Sequence, residues 1–205
     1  MGLYSSHIFP YLMNQVMSNK AMTRSRAELL VSASGEIFEI GFGTGLNLKH
    51  YPSHVKKITT ADVNAGMGKL AQRSIDASPI EVDNRVLNGE DLPLTDESFD
   101  TVVCTWTLCS IPNVEQALKE LHRILKPGGQ FLFVEHGLAD NPKTQRMQHR
   151  VNPLWKLIGD GCHLNRNITE LIQDHHFLLP DVQNFYMPGG PRFASYMYQG
   201  VATKG

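Results

Sequence analysis

The chain has 205 residues, a length that suits one domain with a full hydrophobic core. Its 19 basic and 20 acidic residues leave a net charge of −1, which excludes the strongly basic surface typical of nucleic-acid-binding proteins. No apolar run approaches the roughly 20 residues of a membrane-spanning helix. Three cysteines without paired metal-ligand spacing indicate a reduced, cytoplasmic protein with no metal site.

Residues 1–34 precede the first predicted strand and are expected to form two helices, because apolar side chains recur there near helical spacing. The segment from Ile8 to Met17 is rich in methionine and aromatic residues, which adapt well to apolar ligands. We therefore predict that 1–34 is a helical lid over a ligand site. The alternative is a plain helical pair packed on the edge of the sheet.

A short strand and a glycine turn follow. Ile37–Ile40 is an apolar run with one glutamate, a pattern that fits a buried strand of a parallel sheet. Gly41, Gly43 and Gly45 come next, and glycine permits a positive φ and a close approach of a ligand. A strand, a glycine turn and a helix start together form a nucleotide cradle. Leu46 is too large for the dinucleotide fingerprint, which argues against a nucleotide-dependent oxidoreductase.

The second predicted strand, Lys57–Asp62, ends in a carboxylate. Asp62 lies 21 residues after Gly41, where an acidic side chain can accept both ribose hydroxyls of a bound nucleoside. Alternatively, Asp62 or Asn64 caps the predicted helix Met67–Ala77. We assign Asn64 to the cap and Asp62 to the ribose.

The next two predicted strands each lead into a loop of polar residues. Glu81–Leu87 runs into Asn88–Leu94, which is either a ligand-contacting loop or a plain polar turn. Ser98–Thr105 has a β-branched centre, and Cys104 within it is expected to be inert packing. Thr105 emerges at the carboxyl end of that strand, where open α/β sheets bind their ligands.

A helix and a fifth strand complete the parallel part. One apolar face predicts a helix over Val114–Leu125, and Lys126–Gly129 should end it through proline and glycine. A fifth strand is predicted over Gln130–Glu135. The chain should finish as an antiparallel hairpin of Asp181–Met187 and Phe193–Thr203 around a Pro-Gly-Gly-Pro turn.

Two motifs carry a family resemblance: E-x-G-x-G-x-G at 39–45 and L-K-E-L-H-R-I-L-K-P-G-G-Q-F-L-F-V-E-H at 118–136. From Gly35 to about His136 the chain is similar to class I S-adenosylmethionine-dependent methyltransferases of small molecules. The segments C-T-W-T-L-C-S, N-P-L-W and D-G-C-H-L-N-R resemble the thiol methyltransferase-like proteins and their bacterial relatives. Some of those relatives are described as phosphatidylethanolamine N-methyltransferases.

The resemblance implies a fold, a cofactor and a set of cofactor contacts. The fold is α/β and Rossmann-like, a seven-stranded, mostly parallel sheet with helices on both faces and an antiparallel last strand. The whole chain forms one methyltransferase domain, and S-adenosylmethionine is the cofactor. Glu39 is implied to orient the loop and the cofactor's amino group, and Asn88 replaces the usual aspartate beside the adenine. The implied cofactor contacts are Glu39, Gly41, Gly43, Gly45, Asp62, Asn88, Gly89, Glu90 and Thr105.

The acceptor side is less defined. In the family, the insertion at 137–179 shapes the acceptor pocket, and here two helices and a loop are expected. Among candidate catalytic residues His136 comes first because it ends the fifth strand, followed by Cys109, Asp160 and His163. Taken singly, a residue in any of these four positions is more often an ordinary loop or packing residue. Cys162 beside His163 does not suggest a metal, because adjacent residues are poor ligand pairs.

Methyl transfer from a sulfonium needs alignment and desolvation more than a general base. Thiol acceptors need a base least, since thiolate is accessible near neutral pH. The leading hypothesis is therefore a methyltransferase for a small apolar or thiol acceptor. The alternatives are phospholipid amine methylation with peripheral membrane contact, and a regulator that binds the cofactor without catalysis.

Overall fold

Eight strands form one mixed sheet in the computed structural model, which describes residues 9–205. Residues 1–8 of the predicted lid lie outside the described part. The strands are β1 Ile37–Ile40, β2 Lys57–Ala61, β3 Glu81–Arg85, β4 Phe99–Thr105, β5 Leu125–His136, β6 Phe177–Leu178, β7 Val182–Tyr186 and β8 Tyr196–Lys204.

The helices of the same residues are α1 Phe9–Met17, α2 Lys20–Leu30, α3 Gly68–Asp76, α4 Val114–Ile124, α5 Pro142–Ile158 and α6 Ile168–Gln173. Four of them begin after an asparagine whose side chain accepts backbone N–H groups of the first turn. Between residues 9 and 205, none of the helices combines the length and the apolarity that crossing a bilayer requires.

The sheet order explains how eight strands fill seven positions. β3, β2, β1, β4 and β5 are neighbours in that order and parallel, and β8 is antiparallel to β5. β6 and β7 both pair with the far side of β8, where Leu178 faces Thr203 and Val182 faces Gly200. Pro180 lies between these two strands and cannot donate a ladder hydrogen bond. The prediction of a Rossmann-like sheet with a reversed last strand is confirmed.

The core lies on both faces of the sheet. Successive strand residues point to opposite faces, so that Phe38 and Phe133 pack on one face and Ile37 and Leu132 on the other. α4 and α6 cover the first face, and α2 and α3 cover the second. The strands between them are buried on both sides, and for this reason the short apolar runs of the sequence predicted them reliably.

Two predicted boundaries need correction. α4 ends at Ile124, and Leu125 already pairs with Phe99 of β4 as the first residue of β5. The β4–β5 register then shifts, and pairing resumes at Gln130, so Lys126–Gly129 forms an irregular part of the strand and does not cap the helix. Similarly, α3 starts at Gly68, one residue later than predicted, and Asn64 accepts the Gly66 N–H in the short helical turn Ala65–Met67 that leads into it.

Strand order also creates the site. The chain leaves β1 towards β2 on one side and later returns to place β4 on the other side of β1. Open α/β sheets bind ligands outside the carboxyl ends of their strands at such a switch point. We call the carboxyl ends of β1, β2, β4 and β5, with the loops that follow them, the carboxyl rim.

Candidate active site

The glycine turn after β1 lies at the centre of the carboxyl rim. Gly41, Gly43 and Gly45 have φ values of 75°, 58° and 76°, a region that glycine adopts at low cost. A Cβ on Gly41 would come within 1.9 Å of Thr107 Oγ1, so the close approach of two loops requires glycine there. A Cβ on Gly43 would meet no atom closer than the Gly41 carbonyl oxygen, at 3.9 Å. Gly43 therefore borders open space.

Asp62 closes the turn from the end of β2. Its carboxylate accepts the backbone N–H groups of Gly43 and Asn64, each at 2.7 Å. Burial raises the pKa of Asp62, and these two hydrogen bonds oppose that rise. A carboxylate has about four lone-pair positions, so each oxygen keeps the capacity for one more donor.

A cavity opens beside Gly43 and Asp62, between the glycine turn, the start of α3 and the end of β3. Its lining consists of Phe42, Gly43, Asp62, Asn64, Met67, Gly68, Ala71, Asn84, Arg85 and Val86. The predicted adenine contacts are not among these lining residues. Asn88 Oδ1 accepts the Glu90 N–H within its own turn, and Glu90 Oε1 accepts the Asn113 N–H. Gly89 packs against Ile40 at the tip of β1, where an added Cβ would lie 2.4 Å from Ile40 Cδ1.

Glu39 organises the segment after the glycine turn from inside β1. The side chain is 1% exposed and accepts hydrogen bonds from Asn47 Nδ2 at 2.9 Å and from the Tyr51 hydroxyl at 2.6 Å. Asn47 Nδ2 also reaches Thr105 Oγ1, at 3.1 Å. Burial raises the pKa of Glu39 to about 7, although both hydrogen bonds and the charge of Arg26 act in the opposite direction. Asn47 Oδ1 is buried without a hydrogen-bond partner among the described residues.

The N-terminal helices contact the same rim. Asn14 of α1 accepts the Thr44 hydroxyl at 2.7 Å. Arg26 of α2 is only 4% exposed, donates to the Met17 carbonyl at 2.7 Å and lies 4.6 Å above the Trp106 ring. Burial lowers the pKa of Arg26 to about 10. These contacts place α1 and α2 against the glycine turn and the end of β4.

A second buried carboxylate, Glu135, organises the loop after β4. The side chain is fully buried and accepts the N–H groups of Thr107 at 2.7 Å, Leu108 at 3.1 Å and Cys109 at 3.3 Å. Burial raises its pKa against these hydrogen bonds. Trp106, the first residue of the loop, has a φ of 52°, which costs a non-glycine residue about 1–2 kcal/mol. Strain of this kind is concentrated at functional sites.

Two of the predicted catalytic residues lie together with a third residue that was not among the catalytic candidates. Cys109 Sγ is 3.3 Å from Cys162 Sγ, and Cys162 Sγ is 3.5 Å from His136 Nδ1. Hydrogen bonding by the Cys109 thiol lowers the pKa of Cys162, whereas that same contact and burial raise the pKa of Cys109. We call Cys109, His136 and Cys162 the thiol–imidazole cluster.

The other two predicted catalytic residues border this cluster. His163 donates through Nδ1 to the Cys109 carbonyl at 3.1 Å, and its backbone N–H donates to the same oxygen at 2.7 Å. Burial lowers the pKa of His163. Asp160 has a φ of 48° in the loop after α5 and precedes Cys162 by two residues. His163 therefore joins the Cys162 loop to the loop after β4.

The sequence analysis missed the organising roles of Asn47, Tyr51, Arg26 and Glu135. The sequence did contain an indication of the role of Glu135, because it is a single charged residue in the otherwise apolar strand F-L-F-V-E. Glu39 shows the same signal in I-F-E-I. Arg26 had none, since an arginine in an amphipathic helix is usually solvated.

Comparisons with known proteins agree with the fold. A family model described as a methyltransferase domain matches residues 38–133. A thiol S-methyltransferase of Rattus norvegicus is 36% identical over 189 residues, covering 82% of this chain and 75% of that protein. A thiol S-methyltransferase of Homo sapiens is 33% identical over 200 residues, which cover 88% of this chain and 79% of that protein.

The structure of an S-adenosylmethionine-dependent methyltransferase from Methanosarcina mazei superposes with a TM-score of 0.65 at 21% identity, covering 86% of this chain and 95% of that chain. At that identity the superposition supports the fold alone, whereas the rat and human proteins also support the activity. The resemblance noted in the sequence is confirmed, and the reading as a non-catalytic regulator is set aside. The chain belongs to the class I S-adenosylmethionine-dependent methyltransferases, and S-adenosylmethionine is its cofactor.

Proposed function

We propose that this methyltransferase acts on the thiol of a small, apolar acceptor. The observation that carries the proposal is that the carboxylates of the carboxyl rim are already engaged by donors. Glu135 accepts three backbone N–H groups, Glu39 accepts two side-chain donors, and Asp62 accepts two backbone N–H groups. Because these hydrogen bonds hold the loops of the rim together, the carboxylates have a structural role, and the proposal uses none of them as a general base. An acceptor that is nucleophilic without one, such as a thiol, fits best.

The names of the rat and human relatives support the same acceptor class. Apolar groups also line the rim near the loop after β4. Leu108 is fully buried. The Trp106 Nε1–H donates to the Met197 thioether sulfur at 3.4 Å, so the polar atom of the indole is paired with an apolar side chain. Such surroundings exclude water from the reacting groups, which is the main contribution a protein makes to this displacement.

The residues present fit the cofactor. The open space at Gly43 leaves room for a ligand close to the backbone, and Asp62 keeps lone pairs for two hydroxyl donors. The buried Asn47 Oδ1 needs a donor, and an ammonium group would supply one. S-adenosylmethionine supplies an electrophilic methyl group on a sulfonium centre. We assign its binding to Glu39, Gly41, Gly43, Gly45, Asp62, Asn88, Gly89, Glu90 and Thr105.

Within that set the roles differ. Asp62 holds hydroxyl groups, and Gly43 provides the approach. Glu39 acts through Asn47, which it orients, and Thr105 fixes the other hydrogen of the same amide. The segment containing Asn88 and Glu90 contributes through its position beside Ile40.

A methyl-acceptor screen with radiolabelled S-adenosylmethionine tests the proposal. Thiols, amines, phenols and lipids should be compared at equal concentration, with S-adenosylhomocysteine measured as the second product. We expect turnover with apolar thiols and little with the matching alcohols or amines. Turnover only with amines or phenols would refute the thiol assignment.

A pair of histidine variants separates catalysis from folding. His136→Ala should lower turnover more than it lowers cofactor affinity measured by calorimetry, because His136 lies on the acceptor side. His149→Ala, on the exposed face of α5, is the matched control and should change neither. Equal losses of turnover and affinity in His136→Ala would indicate a structural role.

A second candidate acceptor, a phospholipid amine, is favoured by one observation. Leu154 and Leu157 of α5 are 63% and 75% exposed, and Met147 lies one heptad before Leu154 on the same face. Tyr11 and Leu12 of α1 are exposed as well. Peripheral contact of these helices with a membrane would cover this apolar surface. Co-sedimentation with phosphatidylethanolamine vesicles, lost in Leu154→Ser/Leu157→Ser, would promote this reading, and no binding would remove its support.

A reducing, cytoplasmic location is also proposed. Cys104, Cys109 and Cys162 are free, and two of their sulfur atoms lie 3.3 Å apart. Thiols this close remain reduced most readily where glutathione and thioredoxin operate. Fractionation with a compartment-specific thiol probe tests the proposed location.

A further inference from the structure

The thiol–imidazole cluster has the donors of a transition-metal site. Within residues 9–205 its three residues form the single group of His, Cys, Asp or Glu side chains that could hold a metal, with ligand atoms all within 4.8 Å of one another. Cys162 Sγ lies 3.3 Å from Cys109 Sγ and 3.5 Å from His136 Nδ1. In a tetrahedral zinc site the bond lengths imply ligand–ligand separations of roughly 3.4–3.8 Å. Two of the three separations are therefore close to those around a bound ion, and the third pair, Cys109 and His136, lies within 4.8 Å.

The cluster is held in place by contacts that do not involve its sulfur atoms. The Cys109 N–H donates to Glu135, and the Cys109 carbonyl accepts the His163 N–H at 2.7 Å. Arg166 donates to the Leu108 carbonyl, next to Cys109. Since the backbone already joins both cysteine segments, an ion would meet ligands that are largely preorganised.

A second observation points to a ligand. His136 is 5% exposed, and its Nε2 atom is buried without a hydrogen-bond partner among the described residues. Nδ1 of this imidazole lies beside the Cys162 thiol, but Nε2 has no partner among those residues. Buried polar groups normally have one. An ion bound through Nδ1 would fix Nε2 as the protonated nitrogen, and a ligand bound beside it would accept that hydrogen.

We infer that Cys109, His136 and Cys162 bind Zn²⁺ and leave its fourth position for the acceptor thiol. Two thiolates and one imidazole are soft donors that suit zinc, and catalytic zinc sites keep three protein ligands with one open position. This departs from the sequence analysis, which considered only the neighbours Cys162 and His163. Cys162 is the partly exposed member of the cluster, whereas Cys109 and His136 are buried.

The role of the ion rests on the proposed function. When the acceptor binds, its S–H bond breaks, a Zn–S bond forms, and the proton passes to solvent. Coordination thereby keeps the acceptor as a thiolate without a protein base. This step agrees with the structural role of the rim carboxylates, since it uses none of them as a base.

Metal content tests the inference independently of activity. The full chain should be purified under a phosphine reductant after growth with zinc, and its metal measured by mass spectrometry. We expect one zinc per chain, and a thiolate-to-metal charge-transfer band when Co²⁺ replaces zinc. Cys109→Ser/Cys162→Ser should lose both signals. Cys104→Ser is the matched control and should keep them, because Cys104 Sγ donates to Glu135 outside the cluster.

The zinc site would be overturned by a wild-type chain without zinc or Co²⁺ binding, by a double variant that binds as well as wild type, or by a Cys109–Cys162 disulfide under reductant. Circular dichroism of each variant separates lost binding from lost folding. Methylation of a thiol panel is measured in parallel. Thiol turnover by a metal-free chain would overturn the zinc site and leave the proposed function standing. A zinc-loaded chain that methylates only amines would overturn the proposed thiol acceptor and leave zinc binding standing.

Discussion

The buried carboxyl group of Glu39 makes the stability of this protein depend on pH in a calculable way. Burial raises its pKa from 4.5 to about 7 in the folded chain. Between these two values the unfolded chain has ionised this group, whereas the folded chain still holds the proton. The folded state therefore binds more protons, and the free energy of unfolding falls as pH rises. The stabilisation is complete below pH 4.5 and is lost as pH passes 7.

The size of the effect follows from the shift. At 1.36 kcal/mol per unit of pKa, the contribution of Glu39 changes by about 3 kcal/mol between pH 4.5 and pH 8. Glu39→Gln removes this dependence and keeps the shape. The amide oxygen can accept from Asn47, and the Tyr51 hydroxyl can reverse its role and accept from the new amide nitrogen.

Urea denaturation at several pH values between 4.5 and 8 measures the difference in unfolding free energy between wild type and variant. We expect this difference to change by about 3 kcal/mol over the range. As pH rises, the variant becomes more stable relative to wild type. Glu36→Gln, an exposed glutamate just before the same strand, is the control and should give the wild-type profile. Parallel profiles for Glu39→Gln and wild type would refute the reasoning.

Three further predictions concern the cofactor turn and the core. Asp62→Asn should weaken S-adenosylmethionine binding about 10- to 100-fold in calorimetry, since it loses charge-assisted hydrogen bonds; unchanged affinity would remove Asp62 from the site. Gly43→Ala should fold, with a free energy of unfolding lower by about 1–2 kcal/mol, but should bind the cofactor poorly. Gly41→Ala should lower the free energy of unfolding by about 2–5 kcal/mol, because its Cβ overlaps Thr107. Equal melting temperatures for these two would contradict that contrast. Leu118→Ala, at a fully buried position, should cost about 2–5 kcal/mol in denaturant unfolding with cofactor affinity kept.

Much of the fold follows from local sequence. Each central strand is a short apolar run, and α4 shows its buried face directly in the spacing of Val114, Leu118 and Leu121. The errors fall where tertiary pairing competes with local preference. Leu125 continues the apolar stripe of α4, but it pairs with Phe99 instead and begins β5. Pro180 divides the edge strand, which no periodicity reveals.

Residues that are neighbours along the chain were enough to indicate the fold class, the cofactor and the glycine turn. Which distant side chains meet became visible only in the folded chain. Cys109 and Cys162 are 53 residues apart, and their sulfur atoms come within 3.3 Å only because strand order brings the loop after β4 and the loop after α5 to one rim. The same holds for Glu135, whose backbone N–H partners lie 26 to 28 residues away. Spacing along a chain encodes helices, strands and turns, whereas contact across a sheet edge depends on the order of its strands.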